Sequence, residues 1–458
     1  MSNVQRFGAT GDGKTDDTQA IRHALRDGDG MLHFPPGTYR ITQPIEVTLT
    51  ETGPLGIDGT SGTARILMTG PGPAFRLVGT HGGTGDPDSA KGNVFPSQRL
   101  PTIQNIEIEG AHADADGVEL VETIQSVFEG VGIRRCRHGI HLVKRNRNVL
   151  ISHCHLYHNT GAGIFLDHLN LHQINIASNH IGYNRLGGIR IEGSEVRNLQ
   201  ITGNDIEYNN HAKHDADPEP TAEIYIDVSE ERSSVNEVTV ASNTIQATDS
   251  PGGCNIRIRD TGEGSTRPPG LWSITGNIIG SQENNVHLTG CYGMSITGNC
   301  IYSCTNRNLL IEDSRQINLA GNTFRRHTPR MATGVRLVRS SDITLSGCSI
   351  LDEHPEGQPT KASLLELVEC KRINVSGSQF LDAVPSGIDA TDCSDVSVTA
   401  CNIHDSRPAP KSQHAVRFSG KGAGNLLAMN SIGRSVASPL DLAESAGVVV
   451  QGNVVADG

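Results

Sequence analysis

The chain has 458 residues, 52 glycines, 4% aromatic residues and a formal net charge of −12. The acidic balance argues against nucleic acid and anionic membranes as partners, and no apolar run approaches the roughly 20 residues of a membrane span. Many glycines and few bulky rings fit narrow coils filled by Ile, Val and Leu.

The start, Met1-Ser2-Asn3-Val4-Gln5, lacks a basic and apolar leader. This leaves the compartment open between the cell interior and secretion with a leader removed. Phe7-Gly8-Ala9-Thr10-Gly11-Asp12-Gly13-Lys14-Thr15-Asp16-Asp17-Thr18 leads into a short helix with the apolar face Ala20, Ile21, Ala24 and Leu25. Asp16, Asp17 and Thr18 supply N-cap oxygens for it. Met31-Leu32-His33-Phe34 reads as a strand, and Pro35-Pro36-Gly37-Thr38-Tyr39-Arg40-Ile41 turns into the next. The pair FGATGDGKTDD and PPGTYRI resembles the N-terminal cap of the pectate-lyase-like superfamily of right-handed parallel β-helix proteins. That superfamily includes polygalacturonase-type glycosidases, β-glucanases, alginate epimerases and phage tailspikes. The resemblance implies a cap over residues 1–45 and one all-β solenoid over 46–458, a single domain overall. It also implies an oligo- or polysaccharide partner, with the homotrimer a common assembly among relatives. The acids of the cap read as end-capping groups.

Residues 46–130 read as irregular first coils, with a polar loop from Gly79 to Asp88. Beyond them one phrase returns: a small residue, Asn or Cys, any residue, then a branched or aromatic one. Copies include Ser178-Asn179-His180-Ile181, Gly203-Asn204-Asp205-Ile206, Gly298-Asn299-Cys300-Ile301 and Gly452-Asn453-Val454-Val455. A spacing of mostly 22 to 25 residues, with insertions, predicts about 12 stacked coils. Residues one coil apart then become neighbours at roughly 4.8 Å. Cys154, Cys348 and Cys401 fall in the Asn slot, Cys291, Cys370 and Cys393 share another, and no CxxC occurs. The ten cysteines therefore read as reduced packing residues. Insertions at 209–222, 260–271, 352–362 and 405–413 are expected to line a site. The first is expected to wall the acid patch described next, its His211 and His214 reading as loop polarity.

Aligning the strand before each turn leaves two outward columns. One reads His141, Phe165, Arg190, Tyr225, Arg257, His287 and Leu310; the other reads Val143, Asp167, Glu192, Asp227, Arg259, Thr289 and Glu312. Asp167, Glu192 and Asp227 stack on consecutive coils and are the candidate catalytic residues. Like charges at strand spacing are expected to raise at least one carboxyl pKa. Asp167 and Asp227, two coils or about 9.6 Å apart, approach the ~6.5–9.5 Å separation of inverting glycosidases. Adjacent pairs sit near the ~5 Å of retaining ones. His168, Arg190, Arg257 and Arg259 would orient hydroxyls or a uronate carboxylate, and Phe165 or Tyr225 would stack on a sugar ring. No cofactor is required, although a Ca2+ ion held by the carboxylates is chemically compatible. His141 and His287 read as surface histidines. Arg336, Glu366, Asp389, Arg417 and Asp441 read as an ordinary alternating surface column.

The first functional reading is a glycoside hydrolase. The second is a lyase, epimerase or fructan transferase on the same scaffold. Phe165-Leu166-Asp167-His168 is similar to the Tyr-Gly-Phe-Asp-Pro-His motif of alginate epimerases, without its Tyr and Pro. The polygalacturonase set does not occur as a recognisable string, Asp205 in Gly203-Asn204-Asp205 being only a fragment of it. The third reading is a non-catalytic glycan-binding or structural β-helix.

Overall fold

The computed structural model describes residues 2–83, 85–209, 221–262, 267–352 and 360–456. The chain divides into two compact units, Met1–Thr239 with Glu263–Arg267, and Val240–Gly262 with Pro268–Gly458. Among the described residues no helix is long and apolar enough to cross a membrane.

The first unit opens with the expected helix, Thr18–Asp27, which buries Ile21 and Ala24. It packs against the strands Met31–His33 and Ile45–Thr48. Asp17 makes no side-chain bond to the helix end. Its carboxylate instead accepts the backbone N–H of Thr10 at 2.7 Å and of Gly11 at 3.1 Å, fastening the preceding turn. Asp16 takes the capping contact, accepting from the Thr18 amide at 3.1 Å.

Coils follow, each strand pairing in parallel with its successor one coil later. Ile140–Ser152 pairs with Ala162–Ala177, which pairs with Gly187–Glu192 and Glu195–Thr202. Each coil presents three faces. In one coil these are Gly187–Glu192, Glu195–Thr202 and Asp205–Glu207, called here the first, second and third faces. Alternation along the strands turns Ile164, Ile189 and Ile224 inward in register, each fully buried. The hydrophobic gain is therefore collected one thin layer at a time.

The repeated phrase forms the corner between the second and third faces. Ser178 and Gly203 adopt φ of +58° and +65°, turning the next side chain inward. Asn179 donates its backbone N–H and its side-chain amide to Asn204 Oδ1, both at 3.0 Å. It accepts from the Cys154 amide at 2.9 Å. The amide dipoles thus satisfy each other and the corner backbone without water. A second ladder, Asn159, Asn184 and Asn209, ends on Glu223. Burial pushes the Glu223 carboxyl up to about 8.

The second unit repeats the plan. Its corner ladder runs through Asn243, Asn277, Asn299 and Asn322, with side-chain links of 2.9, 3.0 and 3.0 Å. Cys348 and Cys401 occupy the Asn slot there, each donating S–H to a carbonyl two residues earlier. All ten cysteines are free thiols and nine are buried. Arg336, Glu366, Asp389, Arg417 and Asp441 stack in register as a surface ion-pair column, with pairs at 3.6, 3.5 and 3.2 Å.

Candidate functional site

The first face of the first unit carries the predicted acids. Asp167 is in register with Glu192, and Glu192 with Asp227. The other column, His141, Phe165, Arg190 and Tyr225, is likewise in register. Residues two apart on a strand share a face, so each acid can meet the side chain two positions earlier. Arg190 donates to Glu192 at 2.5 Å, and the Tyr225 hydroxyl to Asp227 at 3.3 Å. Asp227 also accepts the Ser229 amide at 2.9 Å. For Asp167 the corresponding residue is Phe165, which has nothing to donate. Its partners come from elsewhere: His141 Nε2 of the preceding coil at 3.0 Å and His168 Nδ1 at 2.6 Å.

These contacts explain how three acids stack without mutual expulsion, and at Asp167 they outweigh the rise that like-charge stacking predicts for at least one of the acids. The His141 hydrogen bond, aided by His168 and opposed by burial, holds Asp167 down at about 2. Asp167 and then Glu230, 3.1 Å from Nε2, raise His168 above its ordinary value against a smaller cost of burial. The result is an ionised acid joined to an exposed histidine that favours its protonated form. Burial depresses His138 to about 4, so a neutral imidazole lies against His141 and Phe165.

The first column is far less open than an outward alternation implies. Phe165 is 9% exposed and Tyr225 4% exposed. Phe165 stacks on His141 at 5.3 Å, and the Arg190 guanidinium lies 4.5 Å over the Tyr225 ring. The sugar-stacking role expected of these rings meets nearly complete burial. His141, read from the sequence as a surface residue, is the buried donor of the site. Its other nitrogen, Nδ1, lies 3.8 Å from Glu119. Sequence reasoning missed Glu119, His138 and Glu230. Extending the outward column one coil earlier would have found Glu119, which is in register with His141. His287 is likewise the partner of an acid, Glu312 at 2.8 Å.

Arg257 and Arg259 lie in the second unit, in register with His287 and Thr289. Arg257 donates to the Gly252 carbonyl at 3.0 Å. Most of the insertion expected to wall the acids, with His211 and His214, falls outside the described residues. The column does not fit a calcium cage, because Asp167 is committed to two imidazoles and Glu192 to an arginine.

A family model described as rhamnogalacturonase A/epimerase, pectate lyase-like, matches residues 1–70. A right-handed beta helix region matches 91–206, and a periplasmic copper-binding protein (NosD) model matches 221–363. These matches to separate stretches agree with the parallel β-helix of the structure and with the pectate-lyase-like character of its N-terminal cap. Among curated proteins this β-helix is similar to Alginate lyase 7 of Azotobacter vinelandii. The two are 50% identical over 44 residues, covering 9% of this chain and 5% of that protein. It is also 41% identical over 56 residues to a probable glucan endo-1,3-beta-glucosidase of Arthroderma benhamiae, covering 9% and 6%. The matched segments thus span only a small part of those relatives. The tailspike gp61 of Pseudomonas phage phi297 superposes with a TM-score of 0.50 at 11% identity, over 96% of this chain and 80% of that one. At that identity the likeness is one of fold.

Proposed function

We propose that this β-helix is a carbohydrate-active enzyme whose chemistry is proton transfer at the first face, on an acidic glycan. It would act as a lyase or epimerase rather than a paired-carboxylate hydrolase. One observation carries the reading: the column acids are joined to proton-bearing or cationic side chains, Asp167 to His168, Glu192 to Arg190 and Asp227 to Tyr225. A hydrolase of the expected kind needs one carboxyl that keeps its proton near neutrality. Asp167, at about 2, does not serve as that donor.

In an elimination, a base takes the proton next to the uronate carboxylate and the C–O bond to the leaving sugar breaks. A double bond forms between the two carbons, and the leaving oxygen takes a proton. Glu192 stands between the Tyr225 and His168 systems as the acceptor, and His168 is the exposed donor. Arg190 and Asp167 act as positioning residues. The names of the relatives support a glycan substrate, a probable glucan endo-1,3-beta-glucosidase among them, and the one named an alginate lyase supports an acidic glycan. A second reading keeps the register pair Glu192 and Asp227 as a retaining hydrolase dyad.

Product mass on uronic-acid and neutral glycans, for wild type and His168→Ala, decides among these. Unsaturated or epimerised products lost in the variant are the expected result. Products heavier by one water would install the hydrolase reading.

A further inference from the structure

The third face of the first unit holds a cluster that the first-face chemistry does not use. Its strands Glu107–Gly110, Gly132–Arg134, His155–Tyr157, His180–Gly182 and Asp205–Glu207 stack in register. One outward column reads Glu107, Gly132, His155, His180, Asp205, and its neighbour reads Glu109, Arg134, Tyr157, Gly182, Glu207. At the early coils the acids are neutralised by arginine, with Arg134 2.5 Å from Glu107 and 2.7 Å from Glu109. At the late coils two carboxylates turn on one imidazole. Asp205 Oδ2 and Glu207 Oε1 each lie 3.7 Å from His180 Nε2.

Gly182 makes this convergence geometrically open. It pairs with Glu207, and having no side chain it leaves the space through which Glu207 reaches back to His180. A Cβ there would sit 3.1 Å from the Glu207 carbonyl and 3.4 Å from the His180 ring. The three ligand atoms lie within 4.8 Å of one another. A separation of 3.7 Å is long for a charge-assisted hydrogen bond, normally about 2.7–2.9 Å. It suits two ligands that each stand about 2.0–2.2 Å from a shared ion. His180 also lines a cavity of about 460 Å³ with Glu107, His155, Tyr157 and Tyr183. Tyr183 stacks on Tyr208 at 5.6 Å beside it.

We propose that His180 Nε2, Asp205 and Glu207 form a three-ligand site for a divalent transition metal of the zinc class, with its remaining coordination positions open to this cavity. One imidazole with two carboxylates suits zinc or manganese, whereas calcium prefers an all-oxygen cage. The site is independent of the first-face reading, and either can fail without the other.

The test is calorimetric titration of the chelator-stripped chain with Zn2+, then Ca2+, beside the His180→Gln, Asp205→Asn and Glu207→Gln variants. One equivalent of zinc is expected, with affinity lowered about 10- to 100-fold or more in each variant. Gly182→Val, which blocks the approach of Glu207 without removing a ligand, is expected to weaken zinc as well. Melting curves in chelator identify any variant that has not folded, and the remaining variants carry the test. Zinc binding that persists unchanged in folded His180→Gln overturns the site and moves the metal elsewhere, a thiol included. Wild-type uptake no greater than that of the variants also overturns it, leaving a histidine that stands between two acids without a metal.

Discussion

The first and third faces of the first unit use the same materials, imidazoles and carboxylates on neighbouring coils, and dispose of their charge in opposite ways. On the first face His141 and His168 approach Asp167 to 3.0 and 2.6 Å, and its carboxyl falls to about 2. On the third face His180 stands 3.7 Å from both Asp205 and Glu207, and burial with the Glu207 charge raises Asp205 above its ordinary value. The backbone lattice is common to both. The contrast lies in how many imidazoles each acid meets: Asp167 has two, His141 and His168, whereas Asp205 and Glu207 share one, His180. In a solenoid the side chains one coil away therefore decide how closely an acid's charge is met.

The largest expected effect tests which face performs the chemistry. His168→Ala and Glu192→Gln should each lower the rate of product formation by about 10²–10⁴-fold. An equal loss in Asp205→Asn would move the reaction to the third face and break the comparison. Next, His141→Phe removes the buried donor to Asp167 and should lower stability by about 1.5–3 kcal/mol in denaturant unfolding. A change near zero would show that His168 alone holds that acid. Asn204→Ala, beneath the third face, leaves the Cys154-to-Asn204 ladder short of an acceptor and should cost about 1–3 kcal/mol by the same measurement.

Acid titration sharpens the contrast further. Asp167 is depressed from an ordinary 3.8 to about 2, so its contribution is present above 3.8 and is lost as the pH falls toward 2. His168 is raised above 6.5, so its contribution is present below 6.5 and is lost as the pH rises through its folded value. The pair should therefore stabilise most between 3.8 and 6.5. Melting temperatures followed from below pH 3.8 to above 6.5 should show His168→Ala flattening the decline on the alkaline side. The smallest effect is expected from Glu230→Gln. This exposed partner of His168 should change stability by about 0–1 kcal/mol while lowering the histidine's titration midpoint, read by NMR.

Most of the lattice was legible in the sequence because its rules are local. The small residue before each Asn reports a left-handed backbone, and alternation along a strand reports which side chains share a face. The registers Asp167 to Glu192 to Asp227 followed from those rules alone. The ladder from Asn159 to Glu223 went unread because its members lack the small residue that marks the other corner. Likewise, the outward columns were legible as positions and not as environments. His141 and Tyr225 look solvent-facing in the strand pattern but are buried in the fold.

Sequence by itself thus determined the coil repeat, the inward ladders and the stacking of the three acids, since each depends on residues at fixed offsets along the chain. Tertiary structure alone decided which donor each acid meets, which rings are covered, and that Glu207 reaches back past Gly182 to His180. Those outcomes depend on side-chain reach and burial across coils, where a few tenths of an ångström separate a hydrogen bond from a gap and no sequence offset encodes the difference.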